Sequence, residues 1–228
     1  MITINNYQII ETIFDSANTL VCRGQKNEDN QPVILKVLKE NYPSPEKLTH
    51  YRQEYEITRD LNIDGVIDAY NLERYQKTLM IVLEDFGGQS LQQLFDAPLD
   101  ISKFLSLAIS ITEILGEIHA ANVIHKDINP SNIILNPNSG QLKIIDFGIS
   151  TILPRENPAL KNPNQLEGTL PYLSPEQTGR MNRALDYRSD FYSLGVTFYE
   201  LLTQRLPFES KDAMELVHCH LAKQPTPF

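Results

Sequence analysis

The sequence has no long apolar run and no basic cluster. No stretch approaches the roughly 18 apolar residues that a membrane-spanning helix needs, and Met1–Thr12 lacks the basic-then-apolar form of a signal peptide. The 228 residues carry a formal net charge of −9, and no basic run offsets it. A chain of this charge is a poor partner for nucleic acid or an anionic membrane, so we expect neither.

Cysteine is also scarce. Cys22 and Cys219 are the two cysteines, and they stand far apart with no C-x-x-C spacing. This usage is typical of free thiols in a reducing compartment, and it predicts a cytoplasmic location. The 41% hydrophobic content is enough for a sizeable core, either in one two-lobed domain or in two small ones.

Two short apolar runs near the middle of the chain predict a β-hairpin. The runs are Ile133–Leu135 and Leu142–Ile145, and a turn at Asn136–Gly140 separates them. The sequence His-Lys-Asp-Ile-Asn-Pro-Ser-Asn occupies 125–132 directly before the hairpin, and Asp-Phe-Gly follows at 146–148. Polar and charged side chains are therefore grouped at one end of the hairpin.

These side chains fit phosphoryl transfer. Asn132 offers a neutral oxygen ligand for a metal and Asp146 an anionic one, from two different segments. Asp127 precedes Asn132 on the loop that enters the hairpin, where a carboxylate can orient a hydroxyl and accept its proton. Taken singly, Asp127 is also an ordinary loop carboxylate and Asn132 an ordinary turn residue. The combination is what indicates chemistry.

The combination resembles the catalytic loop and magnesium loop of eukaryotic-type protein kinases, whose pattern is H-R-D-L-x-x-x-N followed by D-F-G. The matching positions are His125, Asp127, Pro130, Asn132, Asp146, Phe147 and Gly148. The later run Ser-Pro-Glu-Gln-Thr-Gly-Arg further resembles the amino-terminal kinase module of large bacterial hybrid sensor kinases.

The resemblance implies an α+β, two-lobed protein-kinase-like fold. Residues 1–86 would form a small antiparallel β lobe with one helix, and 87–228 a larger, mainly helical lobe that is incomplete at its C-terminus. Sequence patterns predict strands at Tyr7–Ile13, Leu20–Gly24, Pro32–Leu38, Val66–Arg74 and Thr78–Glu84, helices at Pro45–Asn62, Ser90–Leu94, Ser102–Ala121 and Lys211–Leu221, a further helix opening at 189–195, and a lobe hinge at Asp85–Gly88.

The resemblance also implies a nucleotide site for ATP and magnesium. Lys36 would anchor the phosphates and pair with Glu54, although Glu56 competes for that role. Asn132 and Asp146 would hold the metal, and Leu83 would be the gatekeeper beside the adenine. The residues expected to contact the nucleotide are Ile13, Val21, Ile34, Lys36, Glu84, Phe86 and Ile134, with Glu84 and Phe86 acting through their backbone.

The chain departs from the family where a glycine-rich loop should cover the phosphates. Phe14, Ser16 and Thr19 occupy the three glycine positions. Glycine lets a backbone approach phosphate closely, so we expect a weaker grip, with the side chains of Ser16, Asn18 and Thr19 donating hydrogen bonds instead. At Ile34, the family's alanine is replaced by a larger side chain that narrows the adenine slot.

Two further departures lie in the catalytic loop. Asn129 stands where serine/threonine kinases have a lysine, with Arg180 and Arg183 the nearest candidates for a substitute cation. Lys126 stands in the arginine position before Asp127, and a lysine cannot make the two-pronged grip on a phosphate that arginine makes.

The run at 154–167 resembles an activation segment. Gly168–Glu176 resembles the C-terminal end of that segment in serine/threonine kinases and is here called the close. Asp190 is either an N-cap or the buried tie to the catalytic loop, and Glu176 should lack its usual arginine partner.

Three functions therefore stay open. The first is an ATP- and magnesium-dependent protein serine/threonine kinase with a protein substrate, which the resemblance would join to sensor or histidine-kinase domains in a longer chain. The second is a regulatory pseudokinase that binds ATP. The third is a small-molecule phosphotransferase, which would not need the Gly168–Glu176 close.

Overall fold

The computed structural model describes residues 4–40, 42–152, 167–180 and 184–227. The chain divides into two compact units, Met1–Gly88 and Gln89–Phe228, here called the N-terminal unit and the C-terminal unit. This division falls two residues after the predicted boundary at 86/87 and at the end of the predicted hinge. The predicted activation segment at 154–167 lies outside the described residues except for Glu167.

The N-terminal unit is built on one antiparallel sheet. Its strands are β1 (Tyr7–Asp15), β2 (Thr19–Lys26), β3 (Pro32–Leu38), β4 (Ala69–Tyr75) and β5 (Thr78–Glu84), in the order β1-β2-β3-β5-β4. The predicted five-stranded sheet is confirmed. β4 begins later than expected because Val66 closes a turn, its N–H donating to Ile63 O at 2.8 Å.

The two faces of this sheet differ in character. One face is fully apolar and forms the main core of the unit, with Leu20, Cys22, Val33, Leu35, Val37, Met80 and Val82. The opposite face carries Val21, Ile34 and Lys36, because the pleat sends alternate side chains to opposite sides. These three side chains are only half buried. The strand alternation thus separates a structural face from a functional one.

Helix α1 (Pro45–Leu61) contacts β4 and β5. It begins where the Ser44 side chain accepts from Lys47 N at 3.3 Å, with proline at the first helical position, which suits a residue without an N–H. It ends at Asn62, which adopts the left-handed conformation with φ 40°. Tyr51 joins Ile81 in a second core cluster and donates from its hydroxyl to Lys36 O at 2.8 Å.

The C-terminal unit combines short strands with helices. The described elements are β6 (Gln89–Ser90), α2 (Leu91–Leu94), α3 (Ile101–Ala120), β7 (Val123–Ile124), β8 (Ile133–Leu135), β9 (Leu142–Ile144), β10 (Thr151–Ile152), 3₁₀ helices at Leu170–Tyr172 and Pro175–Thr178, α4 (Arg188–Thr203) and α5 (Ala213–Ala222). The predicted hairpin is confirmed as β8 and β9, and the Ser90 cap of α2 is present. Helices α3 and α5 begin after the caps Asp100 and Asp212, near the predicted starts at Ser102 and Lys211.

The predicted apolar side of α3 is partly wrong. The sequence pattern of Ser102–Ala121 places Leu105 and Ile109 on one apolar side with Ile111, Ile114, Leu115 and Ile118, but Leu105 and Ile109 are 52% and 58% exposed. The buried stripe consists of Phe104, Leu107, Ile111, Leu115 and Ile118. These positions recur at three- and four-residue intervals, whereas Leu105 and Ile109 lie on a neighbouring stripe. In the part of the chain that the structure describes, no helix is long and apolar enough to cross a membrane.

Candidate active site

The β8–β9 hairpin brings the two predicted metal ligands together. Ile145 donates its N–H to Asn132 O at 2.9 Å, which continues the ladder and places Asp146 one residue beyond Asn132's partner. Asp146 has φ 68°, and its Oδ1 accepts from Gly148 N at 3.2 Å. The ring of His125 is linked to the same segment, with Nε2 at 3.0 Å from Ile145 O. Local pairing along the hairpin is what fixes this cluster.

The carboxylate of Asp127 is held from two sides. Asn132 donates from Nδ2 to Asp127 Oδ2 and to its backbone oxygen, both at 2.9 Å. The N–H of Thr169 donates to Asp127 Oδ1 at 2.8 Å. Hydrogen bonds of this kind stabilise the charged form of a carboxylate and fix its orientation. Thr169 belongs to the Gly168–Glu176 close, so this close and the catalytic loop are joined directly at the proposed base.

The donor set suits a divalent cation that also binds phosphate oxygens. Both hydrogen bonds of Asn132 to Asp127 use the amide nitrogen, which leaves the carbonyl oxygen as the atom that can ligate a metal. Asp146 adds an anionic oxygen. Nowhere in 4–40, 42–152, 167–180 and 184–227 do three or more His, Cys, Asp or Glu side chains converge as a metal site. A small, hard cation is bound well by few protein oxygens when a triphosphate supplies the others.

Asp190 ties the catalytic loop to α4. The carboxylate is fully buried and accepts from His125 N at 2.9 Å, Lys126 N at 2.7 Å and His119 Nε2 at 2.8 Å. The expectation that it also caps α4 is wrong, because Tyr187 holds the cap position and Asp190 lies inside the first turn. Lys126 has φ 70°, which is unfavourable for a side chain other than glycine. The loop is thus held in a strained shape by an internal anion.

Asn129 is also part of this network. The side chain is 3% exposed and donates from Nδ2 to Asp127 O at 3.0 Å and to Thr169 Oγ1 at 3.4 Å. Its Oδ1 accepts from Ser131 N at 2.9 Å. The neutral amide of Asn129 therefore connects the catalytic loop with Gly168–Glu176. In the family, a charged lysine stands at this position.

Arg180, one of the two substitute cations proposed from the sequence, makes its contact elsewhere. Arg180 directs its guanidinium to the sulfur of Met214, with Nη2 at 3.4 Å, at the beginning of α5. Arg183 lies outside the described residues.

The close itself is anchored on α4. The hydroxyl of Tyr172 donates to a carboxylate oxygen of Glu200, and Ser193 Oγ donates to Tyr172 O at 2.8 Å. Burial together with this carboxylate raises the pKa of Tyr172. Glu176, expected to lack the family's usual arginine partner, accepts a hydrogen bond at Oε1 from Ser189 Oγ at 2.8 Å.

In the N-terminal unit the structure pairs Lys36 with Glu54. The distance from Lys36 Nζ to Glu54 Oε1 is 2.6 Å, and the two side chains are 13% and 8% exposed. Glu56, the competing candidate, is exposed on the helix surface. Register places Val21 opposite Lys36 and Ile34 opposite Leu83, so these expected nucleotide contacts share the half-buried face of the sheet.

The segment after β5 is held by a side chain that sequence reasoning missed. Arg23 on β2 donates from Nε to Asp85 Oδ2 at 2.7 Å and from Nη2 to Gly88 O at 3.3 Å. Asp85 Oδ1 accepts from Gly87 N at 2.9 Å. Glu84 and Phe86, the expected adenine contacts, are half-buried and flank this carboxylate. No local pattern announces a contact between residues this far apart.

The turn between β1 and β2 is closed by its own hydrogen bonds. Ser16 Oγ donates to Thr19 O at 3.1 Å and accepts from Thr19 N at 3.0 Å. Lys39 Nζ contacts Asp15 Oδ1 at 2.5 Å and Ser16 O at 2.8 Å. The hydroxyl of Ser16, expected to donate to a phosphate, is therefore used within the turn.

Ile13 on β1 and Ile134 on β8 are the two other expected nucleotide contacts. Ile13 is 39% exposed and falls at an irregularity in the pairing of β1 with β2, and Ile134 is half-buried on β8 opposite Lys143. Ile134 belongs to the C-terminal unit and Ile13 to the N-terminal unit.

The residues of the C-terminal unit are arranged as in a site for phosphoryl transfer to a hydroxyl. A family model described as "Protein kinase domain" matches residues 7–226, and the chain belongs to that family. The predicted protein-kinase fold is thereby confirmed. Proteins of this family use ATP and a divalent metal and act on protein substrates.

Individual relatives agree with this assignment. Serine/threonine-protein kinase pkn3 of Myxococcus xanthus is 31% identical over 97% of this chain and 42% of its own length. Serine/threonine-protein kinase PrkC of Bacillus subtilis is 29% identical over 94% of the chain and 33% of its own length. Serine/threonine-protein kinase PknL of Mycobacterium tuberculosis is 29% identical over 95% and 54%, respectively. The chain thus spans about half or less of the length of these relatives.

Proposed function

We propose that this chain is a protein serine/threonine kinase that transfers the γ-phosphate of ATP to a protein hydroxyl with Mg²⁺ as its metal. The observation that carries the proposal is the hydrogen bond from Thr169 N to Asp127 Oδ1 at 2.8 Å. It joins the proposed base to the segment that resembles the substrate-docking close of serine/threonine kinases. A small-molecule phosphotransferase would have no need of that junction.

Each residue then has one task. Asp127 orients the attacking hydroxyl and accepts its proton as the oxygen bonds to the γ-phosphorus, while the bond from that phosphorus to the bridging oxygen breaks and ADP leaves. Asn132 and Asp146 hold Mg²⁺, which when bound neutralises charge on the phosphate oxygens. Within the N-terminal unit, Lys36, oriented by Glu54, is the proposed phosphate anchor. Catalysis of this kind depends on positioning and electrostatics.

The nucleotide base would lie against the half-buried face of the N-terminal sheet. Val21 and Ile34 supply apolar surface there, and backbone groups at Glu84 and Phe86 supply hydrogen bonds. Ile13 and Ile134 complete the expected contacts. The proposal extends to a cytoplasmic location, a protein substrate, and further sensor or histidine-kinase domains in a longer chain.

A regulatory pseudokinase is the second candidate, and one observation favours it. In the β1–β2 turn the Ser16 hydroxyl is hydrogen-bonded to the backbone of Thr19. The turn also lacks the glycines that would offer backbone N–H groups to phosphate. Such a chain could bind ATP weakly and transfer nothing. The intact pairing of Lys36 with Glu54 is the observation against it.

Transfer of label from γ-labelled ATP to a generic protein acceptor separates the two candidates. We expect Mg²⁺-dependent labelling of serine or threonine that Asp127→Asn abolishes while ATP binding persists. Asn is the matched control because it keeps the shape of the side chain and removes the charge. Equal labelling by the wild type and by Asp127→Asn would refute the proposed base, and ATP binding without any labelling would establish the pseudokinase.

A further inference from the structure

The carbonyl of Lys126 belongs to the peptide bond that leads into Asp127. Lys126 adopts φ 70°, and its N–H is fixed by Asp190 Oδ1 at 2.7 Å. The other end of the residue is fixed by a side chain, because Gln177 Nε2 donates to Lys126 O at 2.8 Å. A strained residue persists only where its surroundings hold it. Asp190 supplies one constraint, and Gln177 supplies the second.

The orientation of the Gln177 amide is itself determined. Its Oε1 accepts from Ser174 N at 3.0 Å and from Ser174 Oγ at 2.9 Å, as part of a capping box on the 3₁₀ helix Pro175–Thr178. Because both donors occupy the oxygen, the nitrogen must point the other way, and a flipped amide would set acceptor against acceptor. Ser174 replaces the family's alanine and is fully buried. This substitution therefore helps to aim the Gln177 donor at the catalytic loop.

Gly168 confines the same carbonyl from another direction. The residue has φ 110°, and a Cβ there would lie 3.3 Å from Lys126 O. Both the backbone conformation and the close approach disfavour any larger residue. The carbonyl oxygen of Lys126 is thus enclosed by backbone at Gly168 and by an amide donor at Gln177.

We propose that Gln177 is a positioning residue that sets the Lys126–Asp127 peptide plane, and through it the carboxylate of Asp127. The inference rests on the proposed kinase function, since it concerns the base of that reaction. The proposed effect of Gln177 passes through its hydrogen bond to Lys126 O in the catalytic loop. Ser174 acts behind it by fixing the amide.

Two substitutions at Gln177 separate positioning from helix capping. Gln177→Glu keeps an oxygen that accepts from Ser174, so the capping box survives, but its other oxygen faces Lys126 O and cannot donate. Gln177→Ala removes the cap and the donor together without adding an acceptor. Capping alone predicts that Gln177→Glu behaves like wild type and Gln177→Ala is the weaker protein. Positioning predicts the reverse order in turnover.

We expect Gln177→Glu to lower kcat about tenfold and Gln177→Ala about threefold, as for loss of one hydrogen bond with and without an opposed acceptor. Thermal denaturation should rank them the other way, with Gln177→Glu at least as stable as Gln177→Ala. The KM for ATP should not change, because the hydrogen bond from Gln177 to Lys126 O includes none of the expected nucleotide contacts. Ser174→Ala should have a smaller effect than Gln177→Glu, since its backbone N–H still holds Oε1.

Gln141→Glu is the matched control, because it adds the same charge at an exposed position in the turn between β8 and β9. Its kcat should equal that of wild type. Wild-type kcat in Gln177→Glu, or a defect confined to the KM of the protein substrate, would overturn the positioning role while leaving the kinase function in place. A wild-type chain that transfers no phosphate would instead overturn the proposed function, and this inference with it.

Discussion

Replacing Asn129 by lysine tests how much charge the catalytic loop lacks. The ammonium can take over the contacts that Asn129 Nδ2 makes with Asp127 O and Thr169 Oγ1, at 3.0 and 3.4 Å. It would do so with a full positive charge in a site that has little water, where Asn129 is 3% exposed. We therefore expect Asn129→Lys to raise kcat.

Two opposing magnitudes follow from the contacts. A well-placed transition-state donor is worth roughly 3–4 kcal/mol. An ammonium that keeps the hydrogen bonds to Asp127 O and Thr169 Oγ1 has one further N–H for the phosphoryl group. We expect it to contribute about half of that value, about 1–2 kcal/mol, or roughly tenfold in kcat. The cost falls on folding, because Ser131 N loses its acceptor at Asn129 Oδ1. Ser131 is exposed, so water can replace that acceptor, and the loss costs about 0.5–1.5 kcal/mol in unfolding free energy.

Steady-state turnover and urea denaturation measure the two effects separately. We expect Asn129→Lys to be faster and less stable than wild type, with an unchanged KM for ATP, and Asn129→Ala to be less stable without any gain in speed. Arg180→Ala should leave kcat unchanged, because its guanidinium contacts Met214. Identical kcat values for wild type and Asn129→Lys would show that this position is remote from the transferring phosphate.

Three further outcomes are expected. Asp146→Asn keeps a residue that tolerates the positive φ but removes the anionic ligand. Calorimetry should therefore show that Mg²⁺-dependent ATP affinity falls at least tenfold, while ADP without metal binds as before. Unchanged affinity would refute the metal assignment. Glu54→Gln should raise the KM for ATP and lower the unfolding free energy by about 3 kcal/mol, because it removes the carboxylate charge 2.6 Å from Lys36 Nζ in a largely buried place. The exposed control Glu56→Gln should do neither, and equal effects of the two would refute the pairing. Burial lowers the pKa of His220 below its usual 6.5. The unfolded chain therefore binds the proton more readily, and stability should fall as pH drops below about 6.5. The unfolding free energy of His220→Gln should depend less on pH than that of wild type, and parallel pH profiles would contradict this.

Local spacing predicted the hairpin correctly. The apolar runs and turn of β8–β9 are short-range features, and their pairing alone brings Asn132 beside Asp146. The pairing of Lys36 with Glu54 needed more, because helix periodicity leaves Glu54 and Glu56 as alternatives until α1 is packed against the sheet. The helical pattern left two candidate partners for Lys36, and the packing of α1 against the sheet selected Glu54.

Contacts between distant segments could not be predicted in this way. Arg23 and Asp85 are 62 positions apart, and Lys126 and Gln177 are 51 apart. Neither pair belongs to one helix or one hairpin, so periodicity carries no information about it. The same limit explains Leu105 on α3, where the amphipathic pattern shows that an apolar side exists but not which stripe finds a partner.

The self-closed turn between β1 and β2 has a consequence for the thermodynamics of nucleotide binding. A glycine-rich strap is flexible and loses conformational entropy when it folds over a ligand. In this chain Ser16 and Lys39 already fix the turn, so that loss is largely incurred during folding. Binding should therefore combine a smaller favourable enthalpy, from fewer phosphate contacts, with a smaller entropic penalty. The affinity of such a site for ATP is then governed by preorganisation as much as by the number of donors.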